Sequence, residues 1–185
     1  HKPDRRQRQM CIRDRLSSGR PVKISEIREL IRLMDQQAEL ADIKKAIIDL
    51  DKRFTDSALQ IVEVASGYRL QIKNEYSRLL LPMWQDNSSK TSKALMETLT
   101  IIAYKQPITR GEIESIRGVS VSTQIIRNLT ERNWIKVSGQ KDVPGRPALY
   151  KTTKEFLDDF QLKSIEDLPE ITDSKSTTDL ELNFG

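Results

Sequence analysis

The sequence has almost none of the residues that most often carry catalysis. Its 185 residues contain one cysteine and one histidine, and both lie within the first eleven positions. Disulfides within the chain are therefore impossible, and a histidine base or histidine metal site lacks partner residues. The seven glycines form neither a GxxxxGK[ST] nor a GxGxxG pattern, so the common phosphate-binding loops are missing. These absences predict a protein that is not an enzyme and that uses no cofactor or metal.

Long apolar runs are also missing. No stretch approaches the roughly 20 residues that a membrane span requires, and no apolar segment near the start resembles a secretion signal. The sparse use of cysteine suits a reducing compartment, so we expect a cytoplasmic protein with no membrane contact. Charged residues make up 31% of the chain and hydrophobic residues 37%, a balance that suits small domains with much surface relative to volume.

The net charge of +4 is unevenly placed, and the two ends of the chain carry opposite charge. Residues 1–19 carry six Lys or Arg against two Asp or Glu, whereas residues 161–185 carry two against six. We predict that residues 1–20 form a basic disordered arm, and that residues 161–185 form an acidic, mostly disordered tail. Because residue 1 is histidine rather than methionine, we expect the chain to be truncated or to carry a start that is not native.

The first regular stretch, residues 21–84, changes from a helical period to a strand period. Apolar residues around Ile27 and Ile47 recur at helical spacing and predict two helices. On either side of Ser66-Gly67 the residues alternate with a period of two, which predicts a β-hairpin. Residues 85–92 contain no apolar side chain and are predicted to be a linker.

The second regular stretch, residues 93–160, repeats that order. It begins with an apolar helix that ends at Pro107, and Thr109 is placed to cap the next helix. Gly118 is predicted to end that helix in a left-handed conformation. A third helix follows, and then two strands flank the loop 139–147 before a last short helix.

A short pattern links the two stretches. Residues 21–27 align without a gap on residues 107–113, and both segments begin with proline. Helix, tight turn, helix and hairpin is the order of a winged helix-turn-helix domain. We therefore predict a mainly α fold with small β-hairpins (α+β), built from two tandem winged helix-turn-helix domains at residues 21–84 and 93–160.

Three longer strings carry a family resemblance. Residues 97–110 read ETLTIIAYKQPITR, residues 141–157 read KDVPGRPALYKTTKEFL with Ala148 and Lys151 outside the match, and residues 63–71 read EVASGYRLQ with Ser66 outside the match. These strings resemble the segregation and condensation protein B family. The resemblance covers the second domain fully and the first from about residue 21 onward.

The resemblance implies a bacterial cytoplasmic protein associated with the chromosome, with two winged-helix domains and no catalytic activity. Members of the family bind the central part of the kleisin subunit, which links the heads of an SMC ATPase. That complex condenses and partitions chromosomes during cell division. Family members also form homodimers through the N-terminal domain. The alternative interpretation is a tandem winged-helix DNA-binding transcription regulator.

The chain departs from the family pattern at two places. The family has an apolar first helix before the proline, whereas residues 5–20 here show no apolar face. We therefore expect the leading helix of the first domain to be missing, which puts homodimerisation of this chain in question. Lys151 stands where the family pattern has glycine.

Charges on the predicted helices bear on direct DNA reading. The second helix of the turn motif normally enters the major groove and needs Arg, Lys, Asn or Gln to reach bases and phosphates. The helix near residues 121–132 offers Arg127 but also Glu131, and each acid near a phosphate opposes counterion release. Such mixing is typical of a solvated face or a protein contact. The candidate weak, non-specific DNA contacts are Arg127 and Lys141.

The candidate partner-binding residues all lie in the second domain. The helix at 94–104 is apolar on more than one face, and core packing explains most of this, with a surplus available to a partner helix. The loop 139–147 is either a hairpin turn with solvated charges or a loop that also shapes a partner site. The candidates for contact with the kleisin are Tyr104, Lys105, Arg117, Arg146 and Tyr150.

Overall fold

The computed structural model describes residues 12, 16, 19–33, 39–76, 79 and 91–170. The chain divides into two compact units, one formed by His1–Asp86 with Gln161–Gly185 and the other by Asn87–Phe160. Both units combine helices with one small antiparallel sheet, so the predicted fold class is confirmed. No helix in these described ranges is long and apolar enough to cross a membrane.

Within the described part of the first unit, two helices described over their full length are followed by a hairpin. Helix α1 spans Ile24–Leu33 and α2 spans Leu40–Lys52, and the antiparallel strands are β1, Leu59–Val64, and β2, Gly67–Ile72. Apolar residues at helical spacing turn one face of each helix inward, as the sequence predicts. The buried core contains Val22, Ile27, Ile31, Ile43, Ala46, Ile47 and Leu50.

Gly67 allows the chain before α1 to lie against the hairpin. The Val22 amide donates to the Tyr68 carbonyl at 2.8 Å, and the Tyr68 amide donates back to the Val22 carbonyl at 2.9 Å. A Cβ atom on Gly67 would stand 2.3 Å from that Val22 oxygen, and the φ of Gly67 is +140°. Both the space and the backbone angle therefore require glycine at this position.

The helices of the second unit follow the capping residues closely. Helix α3 spans Lys93–Lys105, the two-residue strand β3 is Ile108–Thr109, α4 spans Arg110–Arg117 and α5 spans Thr123–Glu131. The predicted capping is confirmed: the residue before α4 forms a capping box with the helix, and the glycine that ends α4 has a φ of +70°.

Two more strands and a helix complete the second unit. Strand β4 is Ile135–Gln140, β5 is Ala148–Thr152 and α6 is Lys154–Asp159. The sheet order is β3-β5-β4, and both pairings are antiparallel. We call residues 135–152, the hairpin with its loop, the wing.

The repeat found in the sequence is confirmed in the structure. Ile108 in β3 pairs with Tyr150 of the second wing strand, and Val22 pairs in the same way with Tyr68 of β2. In each unit the residue after the shared proline thus pairs with a tyrosine of the hairpin, as an isolated bridge in the first unit and within a two-residue strand in the second. The two copies place equivalent backbone at equivalent positions.

The prediction that residues 1–20 lie outside the fold is wrong at two described positions. Ile12 and Leu16 are helical, 0% and 1% exposed, and belong to the core cluster of the first unit. The alignment of residues 21–27 on residues 107–113, extended toward the N-terminus, places Ile12 and Leu16 opposite Thr98 and Ile102, which are buried on α3. Two apolar residues four apart share one helix face, and the surrounding arginines obscured this spacing in the sequence. A leading helical face is therefore present at these positions.

The predicted tail also begins later than residue 161. The Ala65 amide donates to the Leu162 carbonyl at 3.0 Å, and the Lys163 ammonium lies 2.8 Å from a Glu63 carboxylate oxygen. These contacts hold residues 161–170 against the hairpin of the first unit, and a 3₁₀ turn follows at Ile165–Asp167. Half-buried apolar side chains in this segment explain why it packs although its composition is acidic.

Parts of two predicted segments fall outside the described residues. They are residues 171–185 of the tail and residues 85–90 of the linker. The linker residues that are described, Thr91 and Ser92, immediately precede α3, and Ser92 caps that helix.

Candidate partner-binding surface

Helix α3 positions two of the five candidate residues at its C-terminal end. Its N-terminus is fixed by Ser92, whose hydroxyl accepts from the Leu95 amide at 3.2 Å. Tyr104 is half-buried, and burial raises the pKa of its hydroxyl. Lys105 is the last helical residue and is exposed, where its positive charge complements the helix dipole. The helix thus presents an aromatic ring and a cation side by side.

Gln106 ties this end of α3 to strand β5. Its side-chain oxygen accepts hydrogen bonds from the Thr152 amide at 2.7 Å and from the Thr152 hydroxyl at 2.9 Å. Tyr150 lies two residues before Thr152 on the same strand and is half-buried. The structure therefore brings Tyr104, Lys105 and Tyr150 to the same end of the second unit.

Arg117 lies at the end of α4 and faces α3. Its side chain is only 8% exposed, and its guanidinium nitrogen Nη2 lies 3.1 Å from a Glu97 carboxylate oxygen. Its Nε is buried and has no hydrogen-bond partner among the described residues. Glu97 and Tyr104 are seven residues apart on α3, so they share a face about 10 Å apart along the axis. We call Tyr104, Lys105, Arg117 and Tyr150 the α3–β5 face.

Arg146 is the one candidate that the structure does not bring to this face. It lies exposed in the loop of the wing with a φ of +38°. Its amide donates to the Val143 carbonyl at 2.8 Å, which is a contact within the loop itself. The loop is therefore a hairpin turn with internal hydrogen bonds, and the Arg146 side chain extends from it without an ion pair to any described residue.

Polar side chains of α5, the helix that would enter a major groove, form hydrogen bonds with one another. Arg127 Nε donates to a Glu131 carboxylate oxygen at 2.7 Å, one helical turn along. The Gln124 side-chain amide donates to the Asn128 side-chain oxygen at 2.6 Å. Arg127 therefore brings no net charge to a phosphate unless its partner moves away.

Lys141, the second candidate DNA contact, is also paired. Its ammonium lies 2.5 Å from a Glu112 carboxylate oxygen, which ties the wing to α4. The hydrogen bond from Lys141, followed by those from the Thr109 amide and hydroxyl, lowers the pKa of Glu112 to about 2. Glu112 thus serves both the helix cap and the wing, and it stays ionised under all ordinary conditions.

Sequence reasoning missed two features of this unit. The pairing of Lys141 with Glu112 joins residues 29 apart, and no local spacing could indicate it. The register of the wing also places Lys136 opposite Lys151, which depends on an irregularity in the ladder between Val137 and Gly139. The only indication of this lysine pair in the sequence is Lys151, which stands where the family pattern has glycine.

The chemistry available on these surfaces is that of binding. The described residues contain no group of three or more His, Cys, Asp or Glu side chains that could hold a metal ion. The α3–β5 face instead offers two half-buried aromatic rings, an exposed ammonium and a buried guanidinium with one unfilled donor. Aromatic and arginine side chains of this kind commonly anchor protein interfaces.

Comparison with known proteins gives consistent matches across both units. A family model described as segregation and condensation complex subunit ScpB matches residues 16–171. A segregation and condensation protein B homolog of Coxiella burnetii is 45% identical over 158 residues, which cover 84% of this chain and 76% of that protein. The segregation and condensation protein B of Clostridium tetani is 38% identical over 159 residues, with 84% and 80% covered. A crystal structure of ScpB from Mycobacterium tuberculosis is 22% identical, covers 85% of this chain and 96% of that chain, and gives a TM-score of 0.40.

The family match begins at Leu16, the second of the two described buried residues before Pro21, and it ends just after the segment that returns to the first unit. The long identities with curated relatives extend over most of the chain. The chain therefore belongs to the segregation and condensation protein B family, whose members are non-enzymatic subunits of the complex that acts in chromosome condensation and segregation.

Proposed function

We propose that this subunit binds the kleisin of its complex through the α3–β5 face of the second unit. Through the kleisin it would be held at the heads of the SMC ATPase, on the chromosome in the bacterial cytoplasm. Its role is that of a scaffold that stabilises the kleisin between those heads. Arg146, at the end of the wing, is a further candidate contact outside this face.

The observation that carries the proposal is a contrast between two surfaces of the second unit. On α5 the polar groups are satisfied by one another, as in the pair of Arg127 and Glu131. On the α3–β5 face the Nε donor of Arg117 is buried without a hydrogen bond. A buried donor without a partner costs roughly 1–3 kcal/mol, and a small rotation of the Arg117 side chain on binding would let a carbonyl or carboxylate of the bound segment remove that cost.

The half-buried tyrosines supply the apolar part of such a contact. Tyr104 and Tyr150 present rings whose rotation is already limited by packing, so little conformational entropy is lost when a partner covers them. An amphipathic helix or an extended segment of the kleisin has the apolar side chains needed to cover them. Affinity on this surface comes mainly from burial of apolar area, and positive charge has a secondary role.

The first unit supports a second part of the proposal, the homodimer. Ile12 and Leu16 fill the core of this unit, which removes the objection that its leading helical face is absent. Leu33, Leu40 and Ile48 are exposed on α1 and α2, and a second copy of the chain would cover them. Light scattering should give twice the chain mass at micromolar concentration, and a monomer there would refute the homodimer.

Two substitutions at opposite ends of α3 test the kleisin contact. Lys105→Glu reverses an exposed charge at the C-terminal end of the helix, beside Tyr104, and Lys93→Glu makes the same change at its first residue. Titration calorimetry against the purified kleisin should show about fivefold weaker binding for Lys105→Glu, or about 1 kcal/mol, and no change for Lys93→Glu. Equal affinities for the two variants would place the kleisin elsewhere.

A substitution of Arg117 tests whether its buried donor without a hydrogen bond contributes to kleisin binding. Arg117→Met keeps the length of the side chain but removes every donor, including the unfilled Nε. We expect kleisin binding to weaken by at least tenfold while the melting temperature falls only slightly, because the native protein already leaves that donor unsatisfied and the lost pair with the partly exposed Glu97 contributes only about 1 kcal/mol. A variant that binds the kleisin as tightly as the native chain would show that Arg117 makes no contact with it.

A further inference from the structure

The wing contains two lysines that face each other directly. Lys136 in β4 and Lys151 in β5 are partners in the antiparallel register, and both side chains are exposed. Directly opposed residues share one face of the sheet, with Cβ atoms about 4.5–5.5 Å apart. Like charges in that arrangement destabilise the strand pair. Neither lysine belongs to an ion pair with any residue that the structure describes.

These two lysines lie on the outer face of the sheet. Ile135, the preceding residue in β4, is 1% exposed and pairs with Thr152, so its side chain faces the core. Successive strand residues point to opposite faces, and Lys136 and Lys151 therefore point away from the core. Tyr150 of the α3–β5 face lies on the other side of the sheet for the same reason.

The wing also holds more unbalanced positive charge than the helix beside it. Residues 135–152 contain four basic residues and one acidic residue, whereas α5 contains one of each. One of the four wing cations, Lys141, is already paired with Glu112. The positive charge that remains available to an external anion therefore includes the pair Lys136 and Lys151.

We propose that Lys136 and Lys151 form a phosphate-binding site through which the wing contacts the backbone of duplex DNA without reading its sequence. A phosphate placed between the two ammonium groups would convert their repulsion into two favourable contacts. Lysine is a point charge that suits such backbone contacts, which position a protein without specifying bases.

The neighbours of the lysines favour a phosphate over an acidic peptide. The strand beyond Val137 continues with Ser138, Gly139 and Gln140, which are all exposed. These residues are small or polar, and they leave room for a phosphate backbone but offer no apolar pocket for peptide side chains. The family's action in chromosome condensation and segregation places DNA within reach of this surface. The proposal is independent of the kleisin contact, because it uses no residue of the α3–β5 face.

A pair of double variants tests the site. Lys136→Gln with Lys151→Gln removes both charges, and Lys45→Gln with Lys52→Gln removes two exposed charges from α2 of the first unit as a matched control. Fluorescence anisotropy is measured against two unrelated duplexes over a series of salt concentrations. Each phosphate contact contributes about 0.9 to the slope of log K against log salt, and the two lysines share one phosphate, so the wing variant should lose about 0.9 of that slope. The control variant should keep the full slope.

The expected results distinguish loss of the proposed phosphate site from a general loss of positive charge and from loss of kleisin binding. The wing variant should lose affinity equally for both duplexes and should still bind the kleisin. Its melting temperature should be no lower than that of the native protein, because like-charge repulsion is relieved. The proposal is refuted if the native protein does not bind duplex DNA at low salt, or if both variants lose the same slope. Binding of a polyglutamate peptide through these lysines as tightly as duplex DNA would also overturn it.

Discussion

Replacing Gly67 by alanine tests whether the first unit is built as the structure shows. The added Cβ would stand 2.3 Å from the Val22 carbonyl oxygen and 2.6 Å from its carbon, which are both rigid backbone atoms. The φ of +140° adds backbone strain of about 1–3 kcal/mol for a residue with a side chain. Relief of the clash separates Val22 from Tyr68 and breaks their two hydrogen bonds, at about 0.5–1.5 kcal/mol each.

These contributions predict that Gly67→Ala lowers the free energy of unfolding of the first unit by about 2–6 kcal/mol, a large part of the stability of a small domain. The matched control is Gly111→Ala on α4, where no atom beyond the neighbouring residues and backbone of the helix itself lies within 4 Å of the added Cβ. That change should stabilise the second unit by about 0.4–1 kcal/mol. Urea denaturation followed by circular dichroism measures both, and hydrogen exchange at the Val22 and Tyr68 amides locates the loss. A native-like midpoint for Gly67→Ala would refute the close approach of these two segments.

Three further predictions depend on single contacts. Leu16→Ala should lower the free energy of unfolding by about 2–5 kcal/mol, because it leaves a cavity in the core; an unchanged urea midpoint would place Leu16 outside that core. Because Lys141 lowers the pKa of Glu112 to about 2, this carboxylate stabilises the fold above about pH 4.5, and its contribution is lost as the pH falls from about 4.5 toward about 2. Glu112→Gln should therefore flatten the loss of stability in that acid range, and an equally steep loss would contradict the pairing. Arg127→Ala should leave DNA affinity and its salt slope unchanged, because Glu131 already neutralises the arginine; a smaller slope in anisotropy titrations would show that α5 contacts phosphate.

Local chemistry in the sequence was sufficient to predict most helices and strands. Thr109 and Gly118 predict both ends of α4 because a side-chain cap and a left-handed glycine act within a single turn of the helix. The proline-led repeat predicts two equivalent units, and the structure adds the short strand at Ile108 that pairs with Tyr150. That strand is too short to produce a period of its own in the sequence.

The parts that the sequence did not predict depend on contacts between distant residues. Ile12 and Leu16 are two apolar residues in a strongly basic segment, and only their partners in the core show that they are buried. Leu162 and Lys163 lie in an acidic segment, and their role depends on the edge of a hairpin about 100 residues earlier. Composition describes the average of a segment, whereas burial depends on the few side chains that meet a neighbour.

The sequence predicted which residues would contact a partner, but it did not predict where these residues lie relative to one another. Tyr104 and Tyr150 lie at the same end of the second unit because Gln106 accepts two hydrogen bonds from Thr152, a contact across 46 residues. Arg117 joins them through Glu97 on the same helix face, whereas Arg146 remains separate on the wing. A family resemblance can indicate which strings matter, but the surface they form follows from side-chain contacts.

Hydrogen exchange of the native chain with and without the purified kleisin tests the central claim most directly. If the kleisin binds the α3–β5 face, protection should appear in the last turns of α3, around Tyr104, and along β5, around Tyr150. The amides of α5 around Arg127 should exchange at the same rate in both samples. Protection confined to α5, with α3 and β5 unchanged, would contradict the account.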